Sequence, residues 1–123
     1  MRATFTIRGR FPSLNEYIDA ERTVKFKAAA MKRKYTDLVA DTAYDLPAFK
    51  SPVFVTFNWY ERDKRRDPDN VAFAKKFIFD GLVKAGVIKN DTHRWILGFE
   101  DNFFIDPDRP RVMVTLETAE EDK

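Results

Sequence analysis

Hydrophobic and polar residues alternate from Ala3 to Arg8, with Ala3, Phe5 and Ile7 on one side and Thr4, Thr6 and Arg8 on the other. That is the period of a half-buried strand. The segment GRFPSLNEY follows as a turn in which Pro12, Ser13 and Asn15 can open a helix. From Lys25 to Tyr44 the period changes. Ala28, Met31, Tyr35, Leu38 and Val39 recur at three- and four-residue steps, the apolar stripe of a long helix. Pro47 and Pro52 frame a loop, and VFVTFNWY (Val53–Tyr60) alternates again as the clearest strand in the chain.

A second helix is predicted from Asn70 to Ala85, closed by Gly86 as a left-handed cap. It is apolar on two sides, with Val71, Ala74, Ile78 and Leu82 on one and Phe73 and Phe77 on the other. The second side reads either as a partner surface or as Phe packed beneath a loop. Arg94–Phe99 reads as a strand with a short extension at Phe103–Ile105, and Pro107 and Pro110 mark a turn. Arg111–Glu117 alternates as the last strand. The order β-α-β-α-β-β predicts an α+β domain over residues 1–118, a mixed or antiparallel sheet of about four strands packed with two main helices. Residues 119–123 (AEEDK) read as an acidic, solvated tail.

Composition narrows the chemistry. The chain has 123 residues, no cysteine and a single histidine, so a disulfide framework, a thiolate zinc site and a His-rich centre are all excluded. No apolar run approaches the roughly 20 residues of a membrane span, and a cytoplasmic location is expected. The net charge of +2 hides a gradient along the chain. Residues 1–36 hold nine Lys/Arg against three Asp/Glu, a net of +6, whereas residues 100–123 hold three against eight, a net of −5. The basic third includes Lys25, Lys27, Lys32, Arg33 and Lys34 on the long helix, with no acid between Arg22 and Tyr35. Such a stripe suits DNA phosphates, although it also describes an ordinary solvated face.

The densest chemistry lies in KRRDPDNVAFAKK (Lys64–Lys76). A residue before proline is pushed towards extended backbone, and residues two apart in extended chain point the same way. Asp67 and Asp69 would then project together from the end of a strand, and paired carboxylates suit a hard cation such as Mg²⁺. The structural reading is equally direct. Asp67 would cap a helix with Pro68 at its first position, and Asp69 would favour the positive helix end. Arg62, Lys64, Arg65 and Arg66 upstream could carry phosphates or neutralise the two aspartates.

RRDPDN, a following lysine-bearing helix and FDGLVKAGVIKNDTH together resemble the signature of the RusA family of phage and prophage Holliday junction resolvases. The likeness covers Arg65 to His93 and extends weakly to PSLNEYI near the N-terminus. It implies a RusA-like homodimer, encoded by a phage or prophage, that cuts branched DNA with Mg²⁺, or Mn²⁺ in its place. It also implies Asp67, Asp69 and Asp91 as metal-binding carboxylates, and a lysine on the helix facing the scissile phosphate. Lys76 stands four residues before Asp80 of FDGL and is the first choice for that lysine, with Lys75 the alternative. Two other functions stay open: a nuclease of the same fold for other branched DNA, and a DNA-binding protein without catalysis.

A distance argument bears on Asp91. A helix over Asn70–Ala85 is about 24 Å long, and six residues return at most about 20 Å. Asp91 therefore reaches its own aspartate pair only if the helix is short or broken. Otherwise it completes the partner's site in a twofold dimer, with the Phe73/Phe77 side as interface. Glu100 or Asp101 could serve as an extra carboxylate, and His93 reads as a solvated loop residue.

Overall fold

The computed structural model describes residues 1–23 and 25–119, with the Lys25 side chain and residues 120–123 of the acidic tail outside the described residues. The chain runs β1 (Arg2–Arg8), α1 (Leu14–Thr23), α2 (Lys25–Ala43), β2 (Val53–Glu61), α3 (Pro68–Ala72), α4 (Lys75–Lys84), β3 (Ile96–Ile105) and β4 (Arg111–Thr118). The four strands form one mixed sheet in the order β1-β4-β2-β3. β4 pairs antiparallel with both β1 and β2, and β2 pairs parallel with β3. The α+β class and the four strands agree with the sequence pattern. Among the described residues no helix is long and apolar enough to cross a membrane.

Strand alternation places the core. Val53, Val55, Phe57 and Trp59 of β2 are buried together with Val112, Val114 and Leu116 of β4 and with Phe5 and Ile7 of β1. Phe77, Ile78 and Leu82 of α4 and Val39 and Ala43 of α2 belong to the same cluster. At roughly 25 cal/mol per Å² of apolar surface removed from water, this shared cluster is the main stabilising term. The glycine of FDGL marks where the two helices cross. A Cβ on Gly81 would lie 2.4 Å from Val39 Cβ and 2.9 Å from the Thr36 carbonyl oxygen, so only hydrogen fits there.

Three expectations need correction. The segment after β1 carries a helix of its own, α1, opened by a reciprocal cap. Glu16 N–H donates to Ser13 Oγ at 3.2 Å, and Ser13 N–H donates to Glu16 Oε1 at 3.0 Å. The helix expected over Asn70–Ala85 starts at Pro68 and breaks at Phe73–Ala74, where Ala74, Lys76 and Phe77 N–H groups bond three residues back. Its end is as expected. Gly86 has φ +78°, its N–H reaches the Val83 carbonyl, and Val87 N–H reaches the Leu82 carbonyl, the paired bonds of a glycine-capped terminus.

The third correction concerns β3, which is one continuous ten-residue strand rather than two pieces. Its polar centre looked like a break but is satisfied from the side. Trp59 Nε1 and Lys75 Nζ both donate to the Asp101 carboxylate, and Asn102 Nδ2 donates to Asn58 Oδ1.

Candidate active site

β2 ends at Glu61, which is buried and ion-paired with Arg10 at 3.2 Å. The loop beyond it sorts its own charges. Arg65 N–H donates to Asp63 Oδ1 at 3.0 Å, and the Arg62 and Arg65 side chains lie 3.9 and 3.8 Å from the same carboxylate. The backbone bond from Arg65, opposed in part by burial and aided by the charges of Arg65, Arg10 and Arg62, holds the Asp63 carboxyl below its ordinary range. Arg66 turns the other way. It donates to Glu16 at 2.5 Å and to the Phe11 carbonyl at 2.8 Å, which ties the loop to the start of α1.

Asp67 is extended at φ −68° and ψ 151°, as expected before proline, and Pro68 opens α3. The capping geometry is present without the capping bond, for the Asp67 side chain makes none. Asp69 does not share an extended edge with Asp67. It lies in the first turn of α3, and its Oδ1 accepts the Asn70 N–H at 3.0 Å. Both carboxylates are exposed, and among the described residues neither is ion-paired. The arginines beside them are engaged with Asp63 and Glu16 instead. Asp67, Pro68 and Val71 line one wall of a groove of about 270 Å³, and Phe103, Phe104 and Ile105 of β3 line the other.

The two lysines part company. Lys76 is exposed, whereas Lys75 is half-buried. Lys75 Nζ stands 2.5 Å from Asp101 Oδ2 and 4.2 Å from the centre of the Phe99 ring. The break at Phe73–Ala74 puts Asp69 in α3 and both lysines at the start of α4. Sequence reasoning named Asp101 as an extra carboxylate but missed Trp59, which donates to it at 2.9 Å. The missing signal was the β2–β3 register, which sets Phe57 beside Asp101 and Trp59 beside Phe103.

Asp91 stands apart. It is exposed and precedes the turn in which Trp95 and Ile96 N–H groups bond the Thr92 carbonyl, at the N-terminal end of β3. Asp67 lies at the C-terminal end of the same strand. Ten residues at about 3.3 Å each put these ends roughly 30 Å apart. The helix is broken, yet parallel pairing of β2 and β3 keeps Asp91 away from its own Asp67. Among the described residues no three His, Asp or Glu side chains gather closely enough to hold a metal. His93 is exposed beside Asp91.

The Phe73/Phe77 side is not an open interface. Phe77 is fully buried, stacked on Phe11, and Phe73 lies under Tyr17 of α1 at 5.4 Å between ring centres. On α2, Lys27, Lys32, Arg33 and Lys34 are exposed, with Lys32 3.8 Å from Asp80. Lys64 is exposed in the loop before Asp67.

The fold and groove define an α+β domain with an exposed acidic pair beside cations, at the exit of a central strand. Compared with protein-family models and with curated proteins, the chain matches none.

Proposed function

We propose that the chain is a divalent-metal-dependent endodeoxyribonuclease acting as a homodimer on branched DNA, resolving four-way junctions by paired nicks. One observation carries this reading. Asp67 and Asp69 are exposed and unpaired although three arginines precede them, because those arginines are held by Asp63 and Glu16. A pair serving only to neutralise that loop would be ion-paired with its arginines, and an Asp67 serving only as a cap would make the capping bond it lacks.

Two exposed carboxylates with room for water are a donor set that fits Mg²⁺, or Mn²⁺ in its place. Asp67 and Asp69 would hold the ion, with Asp91 of the partner subunit as a third carboxylate, since a chain's own Asp91 lies roughly 30 Å from its Asp67. When bound, it supplies Lewis-acid polarisation of the phosphate and a hydroxide near neutral pH. The remaining tasks fall to the protein. Lys75 is already oriented by Asp101 and by the Phe99 ring, and Lys76 is free in solvent. One of them faces the charge that develops on the scissile phosphate. Lys64, Arg62 and Arg65, with the exposed cations of α2, carry the flanking phosphates.

The test is incubation with a synthetic four-way junction and Mg²⁺. Symmetric paired nicks are expected, and Asp69→Asn should lower their rate by roughly 100-fold or more, since loss of a metal ligand removes several kcal/mol of transition-state stabilisation. Cleavage of flaps or forks alone would shift the substrate to other branched DNA. Tight binding with no cleavage would make the chain a branched-DNA-binding protein and defeat the enzymatic reading.

A further inference from the structure

The helices cover one face of the sheet and leave the other open. On β2 and β4 one alternating set of residues is buried against the helices, and the other set faces away from them. Register lines these outward residues up in rows. Arg8 pairs with Arg111, Arg111 with Tyr60, and Tyr60 with Phe104, so one row crosses all four strands. The row behind it is Thr6, Met113, Asn58 and Asn102, and the next is Thr4, Thr115, Thr56 and Glu100. Rings and cations share the first row, at the end of the sheet where β2 leads into the Asp67 loop.

That row is also a stack. The Arg111 guanidinium lies 3.8 Å from the centre of the Tyr60 ring, a cation held over an aromatic face. The Tyr60 and Phe104 rings stand 4.8 Å apart and are inclined by only 20°. Arg111 is fixed in place by Asp106 at 2.8 Å and by the Arg109 carbonyl at 2.9 Å. Phe104 ends the stack on the edge strand, 44% exposed. Arg8 and Arg109 are exposed beside it, and among the described residues neither side chain has an acidic partner. With Arg111 they line a recess of about 750 Å³. Of the two acids there, Asp106 is taken up by Arg111, which leaves Asp108 against two unpaired arginines.

We infer that this row binds an unpaired DNA strand. One base continues the stack on the Phe104 ring, and the phosphates that follow run back along the row to Arg109 and Arg8. Strands lie about 4.8 Å apart, so Arg8 is about 14 Å from Phe104 across the row, the length of about four nucleotides at 3.4 Å each. Aromatic stacking beside a basic track is how single strands are held without regard to sequence. A base inside a duplex has both faces covered and cannot reach the ring. An acidic peptide would meet the arginines but leave the stack unused. Phe104 also lines the groove that holds Asp67. A strand seated on the row therefore ends beside the acidic pair, and this half rests on the nuclease reading: the row would hold nucleotides left unpaired at the branch point.

Titrating a labelled strand of about 12 thymidines in EDTA reads binding without metal or cleavage. The strand should bind well above an abasic strand of the same length, which keeps the phosphates and lacks the bases. Phe104→Leu keeps apolar bulk and removes the ring, and it should weaken binding roughly 10-fold with the melting transition kept. Phe104→Trp should restore it. Arg8→Ala should lower the slope of log affinity against log salt by about 0.7, the share of one single-strand phosphate. No binding, equal binding of the abasic strand, or a Phe104→Leu variant that binds as the parent does would each overturn the proposal. On a four-way junction with Mg²⁺, Phe104→Leu should raise KM more than it lowers kcat, and an unchanged KM would overturn the link to the acidic pair. Strand binding that depends on Phe104 in a chain that cuts no junction would defeat the nuclease reading and leave the row standing.

Discussion

The two edges of the sheet are built in opposite ways. At one edge, β1 places Phe5 and Ile7 under the helices and carries Arg2 and Arg8 at its ends. Its outward residues are Thr4 and Thr6, of which Thr4 bonds Thr115 across the strand pair. At the other edge, β3 extends beyond the helical layer with its large side chains half exposed and no basic guard. The first edge is finished within one chain, as edge strands usually are. The second is left open among the described residues. The acidic groove lies against that open edge, with Phe103, Phe104 and Ile105 as its apolar lining.

The sharpest way to break the comparison is to cut on each side of the line where helical cover stops. Phe57 is fully buried and stacks on Trp59, while its neighbour Phe99 is 50% exposed. Phe57→Ala should cost about 3–5 kcal/mol in urea unfolding. Phe99→Ala should cost about 1 kcal/mol, in line with its partial burial. Equal losses would mean that β3 is as much a part of the core as β2 and that its exposure has no special meaning.

The next effect tests the link between β3 and α4. Lys75 and Asp101 are both mostly buried, at 19% and 18% side-chain exposure, and their pair bridges α4 to β3. Removing one partner strands the other charge in a poorly solvated place. Lys75→Met should destabilise the fold by about 2 kcal/mol, and the double change with Asp101→Asn should recover part of that loss. A double variant as weak as the sum of the two singles would show that the residues act independently.

Much of this layout was legible in the sequence. Alternation in VFVTFNWY and RVMVTLE, and the glycine after Ala85, correspond to β2, β4 and the capped end of α4. The aspartates were found as a pair because a D-P-D sequence after a strand stands out. What was not legible depends on contacts far apart in the chain. The polar run Glu100–Asn102 looks like a gap until Trp59, Lys75 and Asn58 are seen to satisfy it. Phe73 and Phe77 look like a free face because Tyr17 and Phe11, which cover them, lie more than fifty residues earlier. Parallel pairing of β2 with β3 cannot be read from periodicity at all, and it is what separates Asp91 from Asp67.

The smallest effect probes the anchor that ties the loop carrying Asp67 to the start of α1. Glu16 caps α1 and accepts from Arg66, which anchors the loop. Burial raises the Glu16 carboxyl pKa, but the Ser13 N–H, the Arg66 charge, the Ser13 hydroxyl and Arg10 outweigh it and hold the group below its ordinary 4.5. A carboxyl depressed in the folded state adds stability that is fully present above the unfolded pKa and is lost as pH falls through the folded one. Its side chain is 54% exposed, so screening limits the gain to roughly 0.5 kcal/mol. Glu16→Gln should therefore be less stable than the parent by about that amount at pH 7, and the two should converge below pH 4.5. A difference that persists unchanged below pH 4.5 would mean that it comes from the hydrogen bonds of the cap and not from the Glu16 charge.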